Sequence, residues 1–213
     1  MDRARILIAD DHTMVIEGLR HIIEAEFDLV GTAGDGRELL DAAKKLRPDV
    51  IIADISMPML NGIEAVKQIK KNDPNIKVVF LTMHPDVSYA AEAFESGASG
   101  YVLKHSAPDE LIKAVREALK GRTYITPMIA GDLIQQYKKG DYIKNEAMVK
   151  LSTRQREVLQ LLAEGKTAKE VACSLNISAR TVEFHKYKMM EILGIKSSAE
   201  LVQYAIKQGI VSV

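Results

Sequence analysis

Between residues 5 and 120 the chain alternates short, nearly continuous apolar runs with amphipathic stretches of helical period, five times over. Strands apolar on both faces belong in a parallel sheet covered by helices on both sides. The spacing predicts strands at 5–9, 29–33, 49–53, 77–81 and 99–103. It predicts helices at 12–25, 36–46, 62–71, 87–96 and 108–120, with Pro48, Pro74 and Gly97 marking breaks. From 122 to 149 the pattern loosens, and this stretch reads as a linker, partly helical, with one helix over Pro127–Tyr137.

From Leu151 the pattern becomes purely helical. Helices are predicted at about 153–164, 168–175, 179–193 and 198–208. Three capping boxes, Ser152 with Gln155, Thr167 with Glu170, and Ser197 with Glu200, mark helix starts, and Ser178 can cap the third helix. Gly165 and Gly194 sit where two of the helices should stop. The expected organisation is therefore an α/β domain at 1–121, the linker at 122–149 and a small all-α domain at 150–213.

Charge follows this division. Residues 1–149 carry 19 Lys and Arg against 23 Asp and Glu, whereas 150–213 carry 10 against 6, although the whole chain is neutral. A basic tail is compatible with nucleic acid. The single cysteine, Cys173, excludes an internal disulfide framework and a Cys-rich zinc site. No apolar run approaches the roughly 18 residues of a membrane span. The N-terminus carries no signal-peptide pattern, so no membrane partner and a cytoplasmic location are expected.

The chemistry-bearing residues of the first domain gather at strand ends. Asp10 and Asp11 follow the first strand, Asp54 the third, Thr82 the fourth and Lys104 the fifth. Open α/β sheets bind ligands at that edge, at the switch point of the strand order. In a flavodoxin-like order, 2-1-3-4-5, Asp11 and Asp54 face each other across the crevice, with Thr82 and Lys104 on its far side. Crowded carboxylates resist ionising together, and a divalent cation such as Mg²⁺, which prefers oxygen ligands, removes the conflict. An Asp beside it can attack phosphorus and form an aspartyl phosphate, while Lys and Thr hold the phosphoryl oxygens.

These stretches resemble the receiver domain of bacterial two-component response regulators. The match runs through Ile8-Ala9-Asp10-Asp11-His12, the 52–62 segment around Asp54-Ile55-Ser56-Met57-Pro58, Leu81-Thr82-Met83, and the 97–104 segment ending Tyr101-Val102-Leu103-Lys104. The resemblance implies that Asp54 accepts phosphate from a sensor histidine kinase. It implies that Asp10, Asp11, Asp54 and the backbone carbonyl of Ser56 hold Mg²⁺, that Thr82 and Lys104 bind the phosphoryl oxygens, and that Tyr101 is an aromatic switch turning inward with Thr82. It also implies that Ser56 and His84 tune the phosphate's lifetime. His105 stands where many receivers have proline, which marks a subtype. The resemblance further implies that the domain assists only its own phosphoryl transfer and dephosphorylation, and that the chain is otherwise not an enzyme.

In the tail, a short helix, a tight turn at Asn176-Ile177-Ser178 and a longer helix have the form of a helix-turn-helix, whose second helix enters a major groove. The segment 151–208 is similar to the LuxR-type helix-turn-helix, and the whole chain to the NarL/FixJ family of response regulators. Lys169, Lys186 and Lys188 are candidates for phosphate contact, and so is Thr181 from the helix N-terminal turn. Glu183, His185 and Tyr187 are candidates for base reading, and Glu183 could equally pair with Lys186 or Lys188. The resemblance implies a homodimer on double-stranded promoter DNA through the last helix, with Leu201, Val202 and Ala205 as candidates. The expected function is a phosphorylation-controlled transcription regulator. The alternative is a phosphate sink or protein-interaction module without DNA output.

Overall fold

The computed structural model describes residues 3–106, 108–139 and 151–211. The first domain contains β1 (Arg5–Ala9), α1 (Thr13–Glu24), β2 (Asp28–Ala33), α2 (Gly36–Leu46), β3 (Val50–Ala53), α3 (Gly62–Asn72), β4 (Lys77–Thr82), α4 (Val87–Glu95), β5 (Gly100–Leu103) and α5 (Pro108–Leu119). All strand pairs are parallel. Alternate residues of each strand enter opposite cores. Leu7, Ile51, Val78 and Phe80 pack with α2, α3 and α4. Ile6, Ile8, Ile52, Val79 and Leu81 pack with α1 and α5. Burial on both faces is why these strands read as unbroken apolar runs.

The sheet has six strands rather than the expected five, in the order 2-1-3-4-5-6. The sixth, β6 (Tyr124–Ile125), pairs with β5 and is followed by α6 (Pro127–Lys139), whose Ile129 is fully buried in the first core. The stretch read as a linker from 122 therefore begins inside the α/β domain. A two-residue strand is too short to show a period, which is why the sequence pattern missed it. The remainder of that stretch, 140–149, lies outside the described residues.

The second domain contains α7 (Thr153–Ala163), α8 (Ala168–Leu175), α9 (Ala179–Leu193) and α10 (Ser198–Lys207) around Val158, Leu161, Val171, Val182, Met189 and Leu201. Both halves of the capping box are formed at Ser152–Gln155 and Thr167–Glu170. At α10 the Glu200 amide donates to Ser197 Oγ, but the Glu200 carboxylate accepts from the Lys196 amide instead of closing the third box. Ser178 caps α9 by accepting from the Thr181 amide.

Candidate functional site

Parallel strands all point their C-terminal ends to one edge, and that topology assembles the site. Asp10, Asp54 and Thr82 are all buried there. Lys104 Nζ donates to Asp54 Oδ2 at 2.7 Å and lies 2.6 Å from Asp10 Oδ2. The Ile55 amide donates to Asp54 Oδ1 at 2.6 Å. A Cβ on Gly62 would come within 2.0 Å of the Asp54 carbonyl oxygen, so only glycine lets α3 start against the end of β3.

Burial pushes the Asp54 carboxyl above its ordinary value, opposed by the hydrogen bond and charge of Lys104. Burial also pulls on Lys104, but its bonds to Asp10 and Asp54 outweigh it and hold the ammonium above its usual range. Lys104 is thus a fixed positive charge held between the Asp10 and Asp54 carboxylates. Asp10, Asp11 and His12 each place one ligand atom within 4.8 Å of the others. His12 Nδ1 lies 2.9 Å from Asp11 Oδ1 and 3.2 Å from Asp10 Oδ1. Three carboxylates against one ammonium leave excess negative charge on hard oxygen ligands, a donor set that fits a divalent cation.

Thr82 lies behind this cluster and its Oγ1 accepts from the His84 amide at 3.3 Å. Tyr101 is fully buried and its hydroxyl donates to the His84 carbonyl at 2.8 Å. The switch candidate therefore already occupies the inward position in this structure. Ser56 Oγ and His84 Nε2 are 2.7 Å apart, and the His84 ring stacks on Tyr89 with centroids 4.3 Å apart. Burial lowers the His84 pKa, which keeps the imidazole neutral near neutrality.

On α9, Val182 and Met189 face the core, while Tyr187 and Lys188 are exposed, as is Lys169 on α8. Thr181, Glu183, His185 and Lys186 are partly exposed. Lys186 pairs with Glu183 at 3.2 Å and Lys188 with Glu191 at 2.8 Å. Phe184, to which the sequence reading assigned no role, is 64% exposed in the middle of the helix. An apolar ring held in water on a helix of this kind is the signal that could have found it. On α10, Leu201 and Ala205 are buried in the domain core and leave the surface to Val202 and to Ile206, which is 40% exposed. Leu201 and Ala205 are four residues apart on the inward face, so of the three dimer candidates only Val202 stays at the surface of the domain.

Two family matches fall one on each domain. Residues 6–116 match the response regulator receiver domain, and 149–205 match the bacterial regulatory proteins of the luxR family. The chain is a two-component response regulator of the LuxR family. It is 38% identical to the oxygen regulatory protein NreC of Staphylococcus carnosus, over 96% of this chain and 97% of that one. It is 36% identical to the transcriptional regulatory protein YxjL of Bacillus subtilis, over 99% of this chain and 98% of the relative. Among solved structures it resembles RcsB from Salmonella enterica serovar Typhimurium bound to promoter rprA in the presence of phosphomimetic BeF3⁻. The TM-score is 0.63 and the identity 31%, covering 95% of this chain and 98% of that one. Among the described residues of this response regulator, no helix is long and apolar enough to cross a membrane.

Proposed function

We propose that this response regulator accepts a phosphoryl group on Asp54 from a sensor histidine kinase and in consequence binds promoter DNA as a homodimer. The observation that carries the reading is the Lys104 bridge to Asp54 in a chain whose α9 presents its aromatic and basic side chains to solvent. The Asp54 carboxylate attacks phosphorus, the bond to the donor nitrogen breaks, and an acyl phosphate forms. Lys104 then turns from the carboxylate to a phosphoryl oxygen, and the Thr82 hydroxyl supports another. Asp10, Asp11, Asp54 and the Ser56 carbonyl would hold Mg²⁺, which would neutralise charge gathering on the phosphoryl oxygens. Return to the free carboxylate is hydrolysis of the acyl phosphate, which the domain assists as it assists its own phosphorylation.

In the DNA-binding domain, Lys169, Thr181, Lys186 and Lys188 contact phosphates. Phe184, Tyr187 and His185 reach base edges, with Phe184 suited to a thymine methyl. Glu183 is engaged by Lys186 and orients it. Val202 and Ile206 meet their counterparts across the dimer axis. The setting is the bacterial cytoplasm.

The test is chemical. Protein incubated with a small phosphodonor and Mg²⁺ is reduced with borohydride, which converts an aspartyl phosphate to homoserine, and is digested for mass spectrometry. Homoserine at position 54, lost in Asp54→Asn, supports the reading; homoserine elsewhere, or none, overturns it.

A further inference from the structure

Residues 83–86, between β4 and α4, adopt no regular secondary structure, and Met83, Pro85 and Asp86 are exposed. His84 alone of the four is half-buried. Its backbone is held at both ends: the amide donates to Thr82 Oγ1 at 3.3 Å, and the carbonyl accepts from the Tyr101 hydroxyl at 2.8 Å. Neither bond fixes the ring, which can still turn about its two side-chain torsions.

Two contacts hold the ring itself. Ser56 Oγ lies 2.7 Å from His84 Nε2. A hydroxyl rotates to suit the nitrogen it meets, so this contact sets a distance and leaves the plane of the ring open. Tyr89 sets the plane. Its ring centroid is 4.3 Å from that of His84, and the two planes are within 12° of parallel. A stack at that spacing resists both tilting and turning. Tyr89 is firmly placed in its turn. It is the third residue of α4, whose start is pinned by Asp86, which accepts from the Ser88 amide and hydroxyl, both at 2.8 Å. Val87, Ala90 and Ala93 bury the inner face of the same helix, and Tyr89 packs against the first core. A line of contacts therefore runs from Tyr89 through His84 to Ser56, two residues after Asp54.

We propose that Tyr89 is a positioning residue for hydrolysis of the acyl phosphate: its ring holds the His84 imidazole in one plane beside Ser56, and the imidazole holds the attacking water. The water oxygen attacks phosphorus. The bond from phosphorus to the Asp54 oxygen breaks, and its electron pair returns to the carboxylate. Phosphate leaves as the dihydrogen ion, carrying both protons of the water. His84 gains and loses nothing overall, and its part is direction. Attack in line with a breaking bond is sensitive to misplacement of about 1 Å, so a ring free to turn spends less time where it is useful. The lifetime of the phosphorylated state is thus set partly from α4, by a side chain that acts only through His84. This rests on Asp54 being the phosphoacceptor.

The full chain is phosphorylated with a labelled small phosphodonor and Mg²⁺, freed of donor, and loss of label is followed. Tyr89→Leu should lengthen the half-life roughly threefold to tenfold, the range that one lost aromatic stack corresponds to. Tyr89→Phe keeps the ring and should decay as the wild type does. On a His84→Ala background, Tyr89→Leu should change nothing further, because its effect passes through that imidazole. In the wild type itself, the NMR signals of the His84 ring protons, assigned by their loss in His84→Ala, should lie upfield of an ordinary histidine because of the Tyr89 ring. Unchanged decay in Tyr89→Leu, Tyr89→Phe decaying as slowly as Tyr89→Leu, equal lengthening on both backgrounds, or unshifted His84 signals overturns the positioning role and leaves Asp54 as acceptor. No label on the wild type overturns both readings.

Discussion

Lys104 Nζ lies 2.7 Å from Asp54 Oδ2, so one ammonium opposes the burial that pushes the Asp54 carboxyl above its ordinary value. The same ammonium reaches Asp10, which places all three groups on one electrostatic unit.

Lys104→Met should slow phosphorylation by a small donor about 100-fold, the scale of losing one oriented charge at a transition state. It should also move the pH dependence. Attack needs the charged carboxylate, and Asp54 is already raised by burial. Without Lys104 it rises further, so the acid limb of the rate profile shifts to higher pH. Stopped-flow rates against pH check both effects, and an unshifted limb contradicts the electrostatic role.

Ser56, two residues after Asp54, and His84 meet at 2.7 Å. A neutral imidazole held there can order the water that hydrolyses an acyl phosphate. His84→Ala should therefore lengthen the half-life of labelled phosphate on Asp54. Because burial lowers the His84 pKa, wild-type decay should stay flat with falling pH until below the ordinary histidine range, then slow as the ring protonates. A shorter half-life in the variant would contradict this role.

The α/β domain was legible because parallel strands buried on both faces leave unbroken apolar runs, and because Asp10, Asp54, Thr82 and Lys104 all stand at strand ends. The capped helices of the second domain were legible for a similar local reason, since Ser152, Thr167 and Ser178 act within one turn. What depends on long-range contact was not. β6 exists only because β5 offers it an edge, and Gln160 meets Met57 across 103 positions of chain. Periodicity alone could not tell whether Leu201 and Ala205 or Val202 and Ile206 face the core, because all four are apolar on one short helix.

Phe184→Ala should weaken binding to a selected operator roughly tenfold and relax one position of the motif, with an unchanged salt slope. Lys188→Ala should weaken all DNA alike and lower the salt slope by about 1. Fluorescence titrations at several salt concentrations separate the two behaviours.

Leu201→Ala should cost about 2–5 kcal/mol of stability in the helical domain, since its side chain is enclosed. Ile206→Ser should change stability by about 0.5 kcal/mol or less while weakening paired binding to two half-sites. Thermal melts and gel shifts on one-site and two-site DNA distinguish them; loss of stability in Ile206→Ser would contradict an outward role.

The most direct measurement is selection from a random DNA pool by the full chain, with and without beryllofluoride and Mg²⁺. The expected result is a motif of two half-sites enriched only in the beryllofluoride arm. The same motif in both arms would contradict phosphorylation control, and no motif in either arm from folded protein would contradict DNA output.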